Sequence, residues 1–167
     1  MTQEHLLLET RTTLLNEISL LGFKELNNRS EPNKWSIAQV CHHLAITEKL
    51  FARAIEYALK QPPTNHVKQK NIQVLLDRSI KVDAPEIVKP ALEPFELVHV
   101  TELLNDSRTY LLAVLDRVED KSILYEKSAK HPIFGELPLN QWIDLIYLHD
   151  QRHIEQIKEI KNFFGIE

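Results

Sequence analysis

Four stretches of this sequence repeat apolar residues at helical spacing, and no stretch alternates apolar and polar residues convincingly. The helices that we predict run from Thr2 to about Phe23, from Ser36 to about Lys60, from Thr101 to Val118, and from Leu139 to about Phe164. Ser36 and Gln39 form a capping box at the second start, while Gly22 and Gly165 stand where the first and last helices should end. Four helices of this length predict an all-α four-helix bundle.

The two longer connections differ in composition. Residues 61–95 contain five prolines, so we predict a long crossover there, with a short helix where apolar residues recur between Val67 and Ile80. Residues 119–138 predict an irregular connection. The chain of 167 residues is expected to form one domain, 1–167, around a single core.

Several function classes are disfavoured by composition. Gly22, Gly135 and Gly165 lie too far apart to form a phosphate-binding glycine loop. The net charge is −4, and the chain has no long basic run, so we expect no nucleic-acid partner.

Charged residues also interrupt the apolar runs near the N-terminus. Because of Glu9, Arg11 and Glu17, the sequence predicts neither a signal peptide nor a membrane span. Cys41 is the single cysteine and cannot form an internal disulfide. We therefore expect a cytoplasmic protein without a membrane partner, with Cys41 as a buried, inert thiol.

Histidine is the residue type that points to chemistry here, because eight are present and imidazole binds transition metals. His149 and His153 are four residues apart and share one helical face. On the second helix, His43 borders the apolar stripe, whereas His42 should face solvent. His43, His149 and His153 are therefore a plausible three-imidazole set. Three neutral ligands leave a divalent ion an open position, where a bound water or thiol is acidified.

Three further residues have open roles at this stage. Asp150 lies one residue after His149, as the glutamate does in the H-E-x-x-H peptidase motif, but it is one methylene shorter, and we predict a surface residue or a partner of a ligand. Gln156 could orient a ligand or meet a substrate, or bond locally. His131 could overhang the site, although a lone loop histidine is usually solvated.

Two segments carry a family resemblance. The segment KWSIAQVCHHL, residues 34–44, resembles the first signature of the DinB-like/YfiT-like superfamily, in which the metal-binding histidine directly precedes a leucine. The segment HDQRHIEQI, residues 149–157, resembles the second signature, on the last helix. Residues 84–90 and 131–135 are also similar to connecting segments of these proteins.

The resemblance implies a four-helix bundle with up-down-down-up connectivity, with a long crossover between the second and third helices. It also implies a divalent metal ion held by His43, His149 and His153. Some members of the family transfer a low-molecular-weight thiol, such as bacillithiol, mycothiol or glutathione, to an electrophile, and others have been described as metal-dependent hydrolases.

Three hypotheses follow. The first is a metal-dependent enzyme that transfers a low-molecular-weight thiol to an electrophilic small molecule. The second keeps the site but uses water to hydrolyse a small substrate. The third is a non-catalytic stress protein in which the metal stabilises the fold. Three imidazoles suit zinc, nickel, cobalt, iron or copper, of which we expect zinc or nickel. A homodimer is plausible for a bundle of this kind.

Overall fold

The computed structural model describes residues 1–64 and 66–167. Its helices, in chain order, are α1 (Gln3–Ile18), α2 (Phe23–Asn27), α3 (Ile37–Leu59), α4 (Leu97–Leu115), α5 (Ile123–Glu126) and α6 (Leu139–Phe164). The four long helices α1, α3, α4 and α6 form the predicted four-helix bundle.

The helix ends follow local side-chain and backbone chemistry. At the start of α3, Ser36 Oγ accepts a bond from the Gln39 N–H at 3.2 Å, and Gln39 Oε1 accepts one from the Ser36 N–H at 3.1 Å, which confirms the capping box. Gly165 ends α6 with a φ of 65°. The prediction for Gly22 was wrong, because α1 ends earlier and the Gly22 N–H donates to the Glu25 carboxylate at the start of α2.

The helices α3 and α4 run parallel. Glu48 on α3 accepts a hydrogen bond from Ser107 on α4 at 2.8 Å. Further along in the same direction, Glu56 pairs with Arg117 at 3.2 Å. Residue numbers increase together along both helices. The long crossover makes this direction possible, because a short loop joins only antiparallel neighbours.

The direction of α1 is opposite to that of α4. Arg11 donates to the Leu104 carbonyl, whereas Arg108 donates to the Leu7 carbonyl, so residue numbers rise in opposite directions. Parallel α3 and α4 therefore both run against α1.

The last helix returns to the direction of α1. Gln3 bonds to Asp144 at 2.6 Å near one end of the pair, and Glu17 meets Lys161 at 3.0 Å near the other. The connectivity is thus up-down-down-up, as the resemblance implied.

The connections contain more structure than the sequence predicted. In the crossover, the expected short helix is the 3-10 turn Ile72–Leu76, and a second turn spans Glu86–Val88. The expectation of an irregular segment after α4 was wrong, because β1 (Ser128–His131) and β2 (Gly135–Pro138) pair as an antiparallel hairpin. Strands of four residues are too short to show a clear alternation. Among the described residues, no helix is long and apolar enough to cross a membrane.

The core divides into two apolar clusters. One includes Leu7, Ala52, Leu111 and Leu148, and the other includes Leu14, Ala45, Leu104 and Ile154. Each long helix contributes to both clusters. The residues between these positions form a buried polar layer across the bundle.

Candidate metal centre

Three histidines from two antiparallel helices meet inside the bundle. His43 lies on α3, while His149 and His153 lie one turn apart on α6. The Nε2 atom of His149 is 3.3 Å from that of His43 and 3.1 Å from that of His153. One nitrogen from each ring lies within 4.8 Å of the other two. The structure thus brings the three predicted residues together.

Hydrogen bonds on the far side fix the tautomers of the two outer rings. His43 Nδ1 lies 2.7 Å from the Val88 carbonyl oxygen, which can only accept. His153 Nδ1 lies 2.7 Å from Gln156 Oε1. Both Nδ1 atoms therefore carry the proton, and both neutral rings turn an Nε2 lone pair toward His149. Gln156 thus orients a ring of the cluster.

The cluster fits a small divalent cation. Two nitrogens that share a tetrahedral zinc ion at about 2.0–2.1 Å lie about 3.3 Å apart, close to the observed Nε2 separations. Without a cation, converging lone pairs can share at most one proton on His149 Nε2. Three neutral imidazoles match zinc, nickel and other borderline metals, and are unlike the oxygen sets that bind calcium or magnesium.

The electrostatics keep these rings unprotonated at neutral pH. Burial lowers the pKa of His43, and it lowers the pKa of His149 well below its usual value, with His153 and His43 acting in the same direction. Burial also lowers the pKa of His153 to about 3. Neutral imidazole is the form that binds metal.

Aromatic rings border the cluster. Trp35 lies 4.9 Å from the His43 ring, and Phe51 stacks on His149 at 6.4 Å between ring centroids. His43 and His153 are buried, but His149 remains partly exposed. His149 is therefore the least buried member of the cluster.

His42 does not belong to this cluster. The prediction that it faces solvent was wrong, because its ring is half-buried against Phe95, and its Nδ1 accepts a hydrogen bond from the Ala91 N–H at 3.1 Å. The crossover covers this face of α3, which a helical wheel cannot show.

Asp150 points away from the histidines into a buried ionic cluster. Its carboxylate lies 3.0 Å from Arg108 and 3.6 Å from Arg11, and the two arginines also pair with Glu48. Only 2% of Asp150 is exposed, so the expectation of a surface residue was wrong. The ionic cluster, defined as Arg11, Glu48, Arg108 and Asp150, takes one residue from each long helix.

The sequence carries a signal for the ionic cluster, although the predictions made from helical periodicity did not include it. Each member occupies a position on the apolar stripe of its helix. Arg11 falls between Leu7 and Leu14, and Arg108 between Leu104 and Leu111. A charged residue at such a position on every long helix predicts buried pairing, because an unpaired charge would be expelled from the core.

Arg152 anchors the crossover to α6. Its guanidinium donates to the carbonyls of Leu75, Asp77 and Ile80 at 2.7–2.8 Å. The crossover also supplies Val88, the acceptor for His43.

Cys41 is buried as predicted, and burial raises the pKa of its thiol to about 12.

His131 is buried, not solvated. Its ring lies at the end of β1, 5.1 Å from Trp142 and 5.4 Å from Phe51. Phe51 in turn stacks on His149. The Phe51 ring therefore packs against both His131 and a member of the histidine cluster.

Two proteins of Bacillus subtilis are similar to this chain. The uncharacterized protein YuaE of Bacillus subtilis strain 168 is 31% identical over 153 residues, which cover 92% of this chain and 93% of YuaE. YfiT from Bacillus subtilis, described as a probable metal-dependent hydrolase with an unusual four-helix bundle topology, has a TM-score of 0.68 at 18% identity, covering 99% of this chain and 87% of YfiT.

A second solved structure has the same fold. TT2238, a four-helix bundle protein, has a TM-score of 0.64 at 18% identity and covers 94% of this chain and 96% of its own. The sequence model of the DinB superfamily matches residues 6–157, including all three clustered histidines. The chain belongs to the DinB superfamily.

Proposed function

We propose that this protein is a metal-dependent enzyme in which His43, His149 and His153 hold a divalent ion, and that it transfers a low-molecular-weight thiol to an electrophilic small molecule. The convergence of three neutral, tautomer-fixed imidazoles supports the proposal. A divalent ion in such a set acts as a Lewis acid with an open position and lowers the pKa of a coordinated thiol or water.

The chain's own residues define the rest of the site. The Val88 carbonyl and the Gln156 amide hold the outer rings in the ligand tautomer, and His149 is the least buried of the three histidines. Phe51 provides an apolar surface beside His149. No carboxylate belongs to the histidine cluster among the described residues, so a positive charge there would be balanced by an anionic ligand.

The first test is metal content. Protein purified without a histidine tag should hold close to one equivalent of zinc or nickel, and His149→Ala should lose it. His42→Ala is the matched control, since it removes the neighbouring histidine on α3 and should leave the metal content unchanged. Equal metal content in the native protein and His149→Ala would contradict the proposed site.

The second test is thiol transfer. Monochlorobimane reports the reaction by fluorescence: a C–S bond forms, the C–Cl bond breaks, chloride leaves and the thiol proton passes to solvent. Bacillithiol, mycothiol and glutathione should give metal-dependent turnover that His149→Ala lacks. Absence of thiol-dependent turnover in fully metal-loaded protein would refute thiol transfer.

Hydrolysis is the second candidate, favoured by the description of YfiT as a probable metal-dependent hydrolase. Water would then replace the thiol as nucleophile at the same site. Metal-dependent cleavage of p-nitrophenyl acetate without any thiol would favour hydrolysis. A protein that binds metal but catalyses neither reaction would support the third hypothesis, a non-catalytic metal-binding protein.

A further inference from the structure

His131 closes the β-hairpin beside the histidine cluster. Its Nδ1 accepts hydrogen bonds from the Ile133 N–H at 3.1 Å and the Phe134 N–H at 3.3 Å. The hairpin tip is held further by Lys70, which donates to the Phe134 carbonyl, and by Gly135 at a φ of 68°. His131 is therefore fixed in position by its own turn.

These two bonds determine the state of the ring. An Nδ1 atom that accepts from backbone N–H groups carries no proton, so a neutral ring carries its proton on Nε2. Burial lowers the pKa of His131 to about 4, which keeps the ring neutral at pH 7. His131 thus presents an Nε2–H donor, and this donor bonds to no residue that the structure describes.

The turn alone does not explain a histidine at this position. An asparagine would accept from the same two N–H groups, as in common Asx turns. The imidazole adds a ring that packs against Phe51, Phe134 and Trp142, and it adds a second nitrogen that carries an N–H. Among the described residues this nitrogen is not one of the buried atoms that lack a partner, so solvent reaches it, and an anionic ligand could take the place of that water as acceptor.

The position of the ring indicates where that ligand lies. The Phe51 ring touches His131 edge to face and stacks on His149, the partly exposed member of the histidine cluster. His131 therefore lies beside the ring that packs against His149, the least buried of the three clustered histidines.

We infer that the Nε2–H of His131 donates a hydrogen bond to an anionic ligand held at the three-histidine centre. This inference rests on the proposed function, because it needs a cation at the centre. The donor favours ligands with negative charge at their reactive end and gives them one orientation, with the apolar remainder against Phe51. His131 is thus a binding residue for the anionic nucleophile or for an anionic substrate group.

The test uses cobalt(II)-loaded full-length protein with azide as the anionic probe, followed by visible absorption. His131→Asn keeps an acceptor for the hairpin N–H groups but has no N–H donor at the position of the histidine Nε2. His131→Gln can place an amide N–H near the Nε2 position. We expect His131→Asn to raise the Kd for azide about tenfold or more, since bonds to charged groups are among the stronger ones. His131→Gln should restore most of the affinity.

Cobalt content and circular dichroism provide the controls, and both should match the native protein in the two variants. If native protein and His131→Asn bind azide equally well, the histidine is only a hairpin cap and the inference is wrong, while the proposed metal site stands. If the native protein binds no cobalt, the proposed function fails and the inference fails with it.

Discussion

The bundle buries two polar clusters side by side, and the clusters differ in how their polar atoms are paired. In the ionic cluster, two arginines face two carboxylates, and Ser107 donates to Glu48 as well. Its charges cancel and nearly every polar atom has a partner; Arg11 Nε is the exception among the described residues. The histidine cluster is neutral, but its lone pairs converge on one point.

Their adjacency on α6 makes the comparison direct. His149 and Asp150 are neighbours in sequence, yet one faces the histidines and the other faces the arginines. The ionic cluster is complete within the chain, while the histidine cluster, under the proposed function, is completed by a cation. The proposed function thus assigns stability and ligand binding to different residues of one buried layer.

The largest effect is expected from breaking the ionic cluster. Glu48→Gln keeps the shape of the side chain but leaves two arginines facing a single carboxylate. We expect the free energy of unfolding, measured by urea denaturation, to fall by about 3–5 kcal/mol, as for other buried pairs that lose one partner. Glu155→Gln, which breaks an exposed pair with Lys158, is the control and should cost less than about 1 kcal/mol. A small effect of Glu48→Gln would mean that water enters this layer.

The second-largest effect is expected from acid, which should lower the free energy of unfolding through the histidine cluster. The pKa of His153 is about 3 in the folded protein, below its unfolded value of about 6.5, so the unfolded state binds more protons between these values. In metal-free protein, the contribution of His153 is fully present above pH 6.5 and falls by roughly 1.4 kcal/mol per pH unit below it. Urea denaturation of native protein and His153→Gln from pH 7 to pH 4.5 measures the difference in slope.

The control for that experiment is His5→Gln, at an exposed position in the first turn of α1. It removes one histidine without touching either cluster, so its stability profile should parallel that of the native protein. Identical slopes for native protein and His153→Gln would show that the ring is protonated as easily in the fold as in the unfolded chain.

Much of this arrangement was predictable from the sequence because it is local. The capping box at Ser36, the end of α6 at Gly165 and the shared face of His149 and His153 depend only on neighbours within a few turns. His43 was predicted because its place on a helical wheel bordered the apolar stripe. Local periodicity therefore located the three histidines.

What could not be predicted depends on segments far apart in sequence. The partner of His43 is Val88, on the crossover, and the partner of His42 is Ala91. Neither pairing has a local signature, since backbone groups look alike in every sequence. The burial of His131 likewise depends on a short hairpin packing against Phe51, on another helix.

Zinc should stabilise the protein through the histidine cluster, and the ionic cluster should contribute nothing to that effect. With free zinc about a hundredfold above its Kd, the native protein should gain about 2.7 kcal/mol against urea unfolding. His149→Ala should gain almost nothing. Glu48→Gln, if folded, should gain as much as the native protein, because the ionic cluster does not hold the ion. A loss of the zinc effect in Glu48→Gln would show that the two clusters are energetically coupled.

The smallest effect is expected from removing Gln156, which orients the His153 ring but does not itself belong to the histidine cluster. Gln156→Leu removes the acceptor for the His153 Nδ1–H but leaves all three imidazoles in place. We expect zinc affinity, measured by competition with a chelating dye, to fall about tenfold, as is typical when a partner of a metal-binding histidine is lost. Metal-free stability should change little, because Gln156 is partly exposed and not part of the core. The corresponding partner of His43 is the Val88 carbonyl, which no side-chain substitution removes. An unchanged affinity in Gln156→Leu would therefore mean that packing of the His153 ring alone fixes its tautomer and direction.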